Sequence, residues 1–150
     1  MSNATEPARL ENISKFFRHL GNFDWSHIVP ADYKPTDDTW KGVSRRVFVG
    51  ETGESTQFHL RYFEIEKGGY TTLEQHQHEH VVVGMRGRGL AIVGCKELSM
   101  GFGDVLYVSP DSPHQFRNDE GDEPFGFLCI VNAVRDRPRL ADQAFCPICE

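Results

Sequence analysis

Glycine recurs at positions 84, 87, 89, 94, 101 and 103, and it breaks this part of the chain into pieces too short for ordinary helices. The pieces between, 71–79, 80–85, 90–93, 105–108, 114–117 and 125–131, are rich in β-branched and aromatic residues. Two earlier segments, 46–49 and 57–65, have the same texture and flank a Gly-Glu-Thr-Gly-Glu turn. Lys67-Gly68-Gly69 reads as a further turn. Short strands with turn signals this frequent predict an all-β sandwich or barrel.

The 150 residues suit one domain with one core, and 39% hydrophobic against 25% charged residues suits a globular chain. Residues 1–42 read as an N-terminal arm. Within it Ile13, Phe16, Phe17 and Leu20 recur at helical spacing, with Asn12 placed to cap and Gly21 to terminate, so the spacing predicts a short helix. Residues 43–132 form the predicted barrel, and 133–150 a polar tail. A net charge of −6 disfavours nucleic-acid binding. No apolar run is long enough to span a membrane, and the first residues lack the pattern of a signal peptide, so the expectation is a cytoplasmic protein. In that compartment Cys95, Cys129, Cys146 and Cys149 are expected to be mostly reduced.

The candidate chemistry lies in two spaced patterns. The first runs Gly68, five residues, Glu74, one, His76, three, His80, six, Gly87. The second runs Gly103, ten residues, His114, three, Asn118. Residues two apart on a strand share a face, so Glu74 and His76 can point at one centre. His80 follows a short bend, and His114 comes from another strand. Imidazole and carboxylate together suit Mn, Fe, Ni or Zn, with positions left open for substrate. The expected ligands are therefore Glu74, His76, His80 and His114, holding one divalent transition metal per chain, Mn or Fe first.

These two patterns resemble the paired motifs of the cupin superfamily, small β-barrels that usually bind one metal. The usual first motif has His where Glu74 stands and Glu where His80 stands, so the ligand types are kept with their positions exchanged. In the second motif, Ser109 and Asp111 replace the usual Pro and Gly. The resemblance implies a single-domain cupin-type double-stranded β-helix, or jelly-roll barrel, and a homodimer. A register built on His76-x-His78 would put Val82 at the third ligand position, which favours the Glu74 register. His78 then reads as a polar lid, or as a proton shuttle.

Cys129 shares strand parity with Phe127 and Val131; it is either a buried apolar residue or, if that face lines the barrel, a nucleophile. Cys95 reads as structural. Cys146-Pro-Ile-Cys149 is a redox couple, half of an intersubunit zinc site, or two incidental thiols. Arg45, Arg46, Arg61, Arg86 and Arg88 make a small anionic substrate reasonable, with Tyr62, Tyr70 and Tyr107 as further donors. The stretch from Arg61 to His80, with Gly-Phe-Leu-Cys-Ile-Val-Asn-Ala, resembles a single-domain cupin group that includes the methylthioxylulose phosphate methylsulfurylases. Those methylsulfurylases are manganese cupins that release methanethiol with thiol help. The expected activity is Lewis-acid isomerase or lyase chemistry on a sugar-phosphate-like substrate, thiol-assisted if the likeness extends that far. An Fe(II) dioxygenase and a non-enzymatic metal or ligand binder are the alternatives.

Overall fold

A computed structural model describes residues 6–135 and 138–141. Among them there are only strands and no helix. The arm contributes β1 (His19–Gly21), β2 (Asp24–Trp25) and β3 (Ala31–Asp32). The barrel follows as β4 (Lys41–Val49), β5 (Phe58–Tyr70), β6 (Glu74–Gln75), β7 (His80–Arg86), β8 (Gly89–Val93), β9 (Lys96–Met100), β10 (Val105–Val108), β11 (His114–Arg117) and β12 (Phe125–Asn132). Finally β13 (Arg139–Leu140) returns to pair with β6.

The expected jelly-roll barrel is what forms. One side carries β4, β5, β12, β7 and β10 side by side, all antiparallel. The other carries β9, β8, β11 and β6. Strand β5 joins them: its first half pairs with β12, and Tyr70 at its end pairs with Arg117 of β11. The expected turn at Lys67-Gly68-Gly69 is therefore a distortion inside one long strand. Asn118, fully buried, holds it there. Its backbone N–H donates to the Gly69 carbonyl (3.0 Å), its carbonyl accepts from the Gly68 N–H (2.6 Å), and its Nδ2 donates to the Ile65 carbonyl (2.9 Å). The motif's asparagine thus ties the strand carrying Arg61 to the strand carrying His114.

Alternation places Phe63, Ile65, Val82, Phe116, Phe125, Phe127, Cys129 and Val131 inside the barrel. The other face of the same strands is buried too. Phe17, Phe23 and Trp25 of the arm cover Phe48, Tyr62, Met85 and Leu128. Phe23 stacks on Tyr62 at 5.8 Å, and Trp25 meets Phe48 edge-on at 5.0 Å. Burying each large side chain contributes about 1.5–3 kcal/mol. The arm is therefore an outer layer of the fold.

The expected arm helix does not form. Ile13, Phe16 and Leu20 are exposed, and only Phe17 inserts. Asn12, placed to cap a helix, instead donates from Nδ2 to the Ser55 hydroxyl (2.8 Å) and accepts from the Ser55 N–H (3.1 Å). Lys15 reaches the carbonyl of Thr52 (2.9 Å) and the carboxylate of Glu54. A helix of about two turns is marginal by itself, and these partners on the β4–β5 hairpin hold the chain extended instead.

Candidate metal centre

The barrel register brings the candidate ligands together. His114 on β11 lies opposite Glu74 on β6, and His80 on β7 lies opposite Val131 on β12 and Val108 on β10. Glu74, His76, His80 and His114 are all buried. Ligating atoms of Glu74, His76 and His114 fall within 4.8 Å of one another, as do those of His76, His78 and His80. The two groups share His76. His78 stacks flat on His76, ring centroids 3.5 Å apart, so it stands inside the imidazole cluster rather than above it.

Hydrogen bonds set the tautomers. Nδ1 of His76 faces the His78 carbonyl at 2.9 Å, and Nδ1 of His114 faces the Ser112 carbonyl at 2.9 Å. A carbonyl accepts only, so both Nδ1 atoms carry the proton and both Nε2 atoms keep a lone pair, as a metal ligand requires. Nε2 of His80 approaches Nε2 of His76 at 2.9 Å, which makes His80 the donor there and leaves its Nδ1 to accept from Cys129 Sγ at 3.2 Å. Burial, then the charges His114 and His76 would carry, push the His80 pKa far down, so the ring stays neutral. Burial also lowers His114, against the pull of the Ser112 carbonyl and Glu74. Two converging lone pairs and a carboxylate fit a divalent transition metal.

One cation already stands at this carboxylate: Lys34 Nζ lies 2.5 Å from Glu74 Oε2. Tyr33, beside it, has its hydroxyl pKa pushed well up by burial and by Glu74. Neither residue was legible as functional, because the arm around them has no periodicity to place it.

The cluster opens into a cavity of about 190 Å³ lined also by Arg45, Arg61, Thr72, Phe127, Cys129 and Arg135. Cys129 is a free buried thiol with its parity turned inward. Arg61, its cross-strand neighbour, donates from Nη2 to its sulfur at 3.4 Å. Burial raises the thiol pKa, and the Arg61 charge opposes that rise. The other candidate arginines are elsewhere: Arg46 pairs with Asp24, Arg86 with Glu64, and Arg88 bonds Ser99. Tyr62, Tyr70 and Tyr107 do not line the cavity. Cys95 is disulfide-bonded, contrary to the expectation of a reduced thiol, while Cys146 and Cys149 lie outside the described residues.

The Cupin domain family model matches residues 61–131. The 1-methylthio-D-xylulose 5-phosphate methylsulfurylase of Rhodospirillum rubrum is 43% identical over 123 residues, covering 81% of this chain and 77% of that protein. The chain is a cupin. Among solved structures, a cupin 2 conserved barrel domain protein from Rhodopseudomonas palustris superposes on this cupin with a TM-score of 0.77 at 36% identity, covering 85% of this chain and 87% of that one. A cupin-2 domain protein from Rhodospirillum rubrum gives 0.71 at 37% identity, covering 93% and 84%. Glu74 and His80 fall in two neighbouring groups of potential ligands that share His76. Asp111, where cupins usually have glycine, adopts a left-handed φ of 61°, which Asp tolerates better than most residues.

Among the described residues no helix is long and apolar enough to cross a membrane.

Proposed function

We propose that this cupin is a metal-dependent enzyme that cleaves a carbon–sulfur bond in a ketose phosphate, with Cys129 as nucleophile. The observation that carries this reading is the free thiol in the cavity wall, 3.2 Å from an imidazole of the candidate metal cluster. The similarity to a protein named for 1-methylthio-D-xylulose 5-phosphate supplies the substrate class.

Glu74, His76 and His114 would hold the cation, which leaves His80, expected as a fourth ligand, free to act as a base. A divalent metal bound there supplies Lewis-acid stabilisation of negative charge on a ketone oxygen. His80 Nδ1, neutral and facing the sulfur, accepts the thiol proton. Arg61 steadies the thiolate. The Cys129 sulfur attacks the methylthio sulfur. An S–S bond forms and the C–S bond breaks, its electron pair passing to the carbon next to the ketone as an enolate. That carbon then takes the proton that left the thiol, passed on from His80 through His78 in the same cluster. An external thiol displaces methanethiol from the mixed disulfide, and a second external thiol restores Cys129. Two thiols thus become one disulfide per turnover.

The test is methanethiol release from a 1-methylthio ketose phosphate by the Mn-loaded protein with dithiothreitol, with and without oxygen. Activity without oxygen, lost in Cys129→Ser, is expected. A requirement for oxygen sinks the lyase reading in favour of a dioxygenase, and full activity in Cys129→Ser removes the nucleophile. Elemental analysis of Glu74→Ala and His114→Ala checks the ligands, since stoichiometric metal in both would refute them.

A further inference from the structure

Three guanidinium groups line the cavity that Glu74 also lines. Arg45 on β4 and Arg61 on β5 share the inward face, because Arg45 pairs with Phe63 and Arg61 pairs with Val47. That makes them diagonal neighbours across one ladder, within reach of a common ligand. Arg135 follows β12 and lines the same cavity. Burial first, then Arg61, lowers the Arg135 pKa, and Arg45 lowers it further. These are like charges pressed together.

Their countercharge is thin. Among the described residues Arg45 has only Glu51, at 3.7 Å. Among the described residues neither Arg61 nor Arg135 forms an ion pair with a carboxylate. Arg135 Nη1 donates instead to the Asn132 carbonyl (2.9 Å) and faces Nδ1 of His59 at 3.1 Å. Burial, then Arg135, lowers the His59 pKa, so this ring stays neutral and adds no repulsion. The Nε atoms of Arg45 and Arg61 are buried with no hydrogen-bond partner. Buried N–H groups are rarely left so. A tetrahedral dianion with several acceptor oxygens would meet both the charge and the missing partners, and guanidinium forks suit it better than any other cation.

We propose that Arg45, Arg61 and Arg135 form a phosphomonoester-binding subsite that anchors the substrate by its phosphate. The subsite rests on the ketose-phosphate reading for its ligand, but its residues are separate from the candidate metal ligands. Arg61 also touches Cys129, so an anchored phosphate is in register with the thiol.

Titration of the metal-loaded protein with inorganic phosphate, followed by calorimetry, tests this. Arg45→Met and Arg135→Met keep the apolar stem and remove the charge, and circular dichroism and metal content report whether each variant is folded. Phosphate affinity is expected to fall about ten-fold or more in each folded variant, the loss of at least one charge-assisted hydrogen bond. Metal stoichiometry is expected to stay unchanged, and acetate to bind more weakly than phosphate. Unaltered phosphate affinity in both variants overturns the subsite, as does acetate binding as tightly as phosphate. Phosphate binding that depends on the arginines, in a protein that turns over no methylthio ketose phosphate, leaves the subsite standing and removes the catalytic reading. Turnover with unaltered phosphate affinity in the variants does the reverse.

Discussion

Glu54 fastens the arm to the barrel, and acid should unfasten it. Its carboxylate accepts from the Gly50 N–H (2.8 Å), the Thr52 N–H (3.2 Å), the Thr52 hydroxyl (2.6 Å) and the Lys15 ammonium. Burial alone would raise its pKa. The Lys15 ammonium and the Thr52 hydroxyl, with the two backbone N–H groups, outweigh burial and hold it down to about 2, from an ordinary value of 4.5. A pKa depressed in the folded state gives stability that is complete above the unfolded value and is lost as pH falls toward the folded one. At face value the shift is worth about 3.4 kcal/mol. The side chain is only 11% exposed, yet the hairpin lies at the edge of the molecule, where solvent screens charge, so about 1–2 kcal/mol is the better expectation. Glu54→Gln keeps the size and removes the charge. At pH 7 it should lower the melting temperature by about 3–8 °C. Urea unfolding of both proteins from pH 7 to pH 3 should show the gap closing below about pH 4.5. A gap that stays constant across that range would show that the carboxylate's charge contributes nothing and that the loss is one of packing.

Gly126→Ala places a Cβ 2.0 Å from the Tyr62 hydroxyl, which is fully buried and bonded to Glu64. Overpacking of this kind costs about 1–3 kcal/mol; part of it should return in a Tyr62→Phe background, and additive denaturation energies would refute the contact. Lys34→Met removes the ammonium now at Glu74. Mn²⁺ affinity, measured by chelator competition, should rise about ten-fold, whereas a fall would mean that Lys34 orders the carboxylate for its ligand.

The barrel was legible because alternation and glycine spacing are local signals. Strand β12 is an example: its parity alone grouped Cys129 with Phe127 and Val131, and the structure turns that face inward. The candidate cluster was legible as a set of neighbours because its spacings fix which residues the strands can bring together. The arm was not. Its apolar spacing at Ile13, Phe16, Phe17 and Leu20 fits a helix, but what decides it lies about 40 residues away, in the partners Ser55, Thr52 and Glu54 that hold Asn12 and Lys15. For the same reason Tyr33, Lys34 and Arg135 escaped notice. Each reaches the cavity from irregular chain, where no period predicts a direction. Arg45 and Arg61 stood in a group of five candidates, and only strand pairing separates them from Arg46, which meets Asp24 on the arm side.

The charge lining the cavity couples the candidate metal centre to the proposed arginine subsite. Among the described residues Lys34, Arg45, Arg61 and Arg135 line it against the single carboxylate of Glu74. A divalent cation entering so positive a space is opposed by its walls, although the whole chain carries a net charge of −6. A phosphate dianion held by the arginines relieves that opposition, and the metal in turn favours the phosphate. Binding linkage is reciprocal, so each ligand should tighten the other by the same factor, on the order of 5–150-fold for couplings of about 1–3 kcal/mol. Mn²⁺ titrations with and without saturating glycerol 3-phosphate measure that factor. It should collapse toward one in Arg135→Met while Mn²⁺ is still bound. Equal Mn²⁺ affinity in both titrations of the unaltered protein would mean that the two sites act independently and that the guanidinium cluster does not share the field of the metal centre.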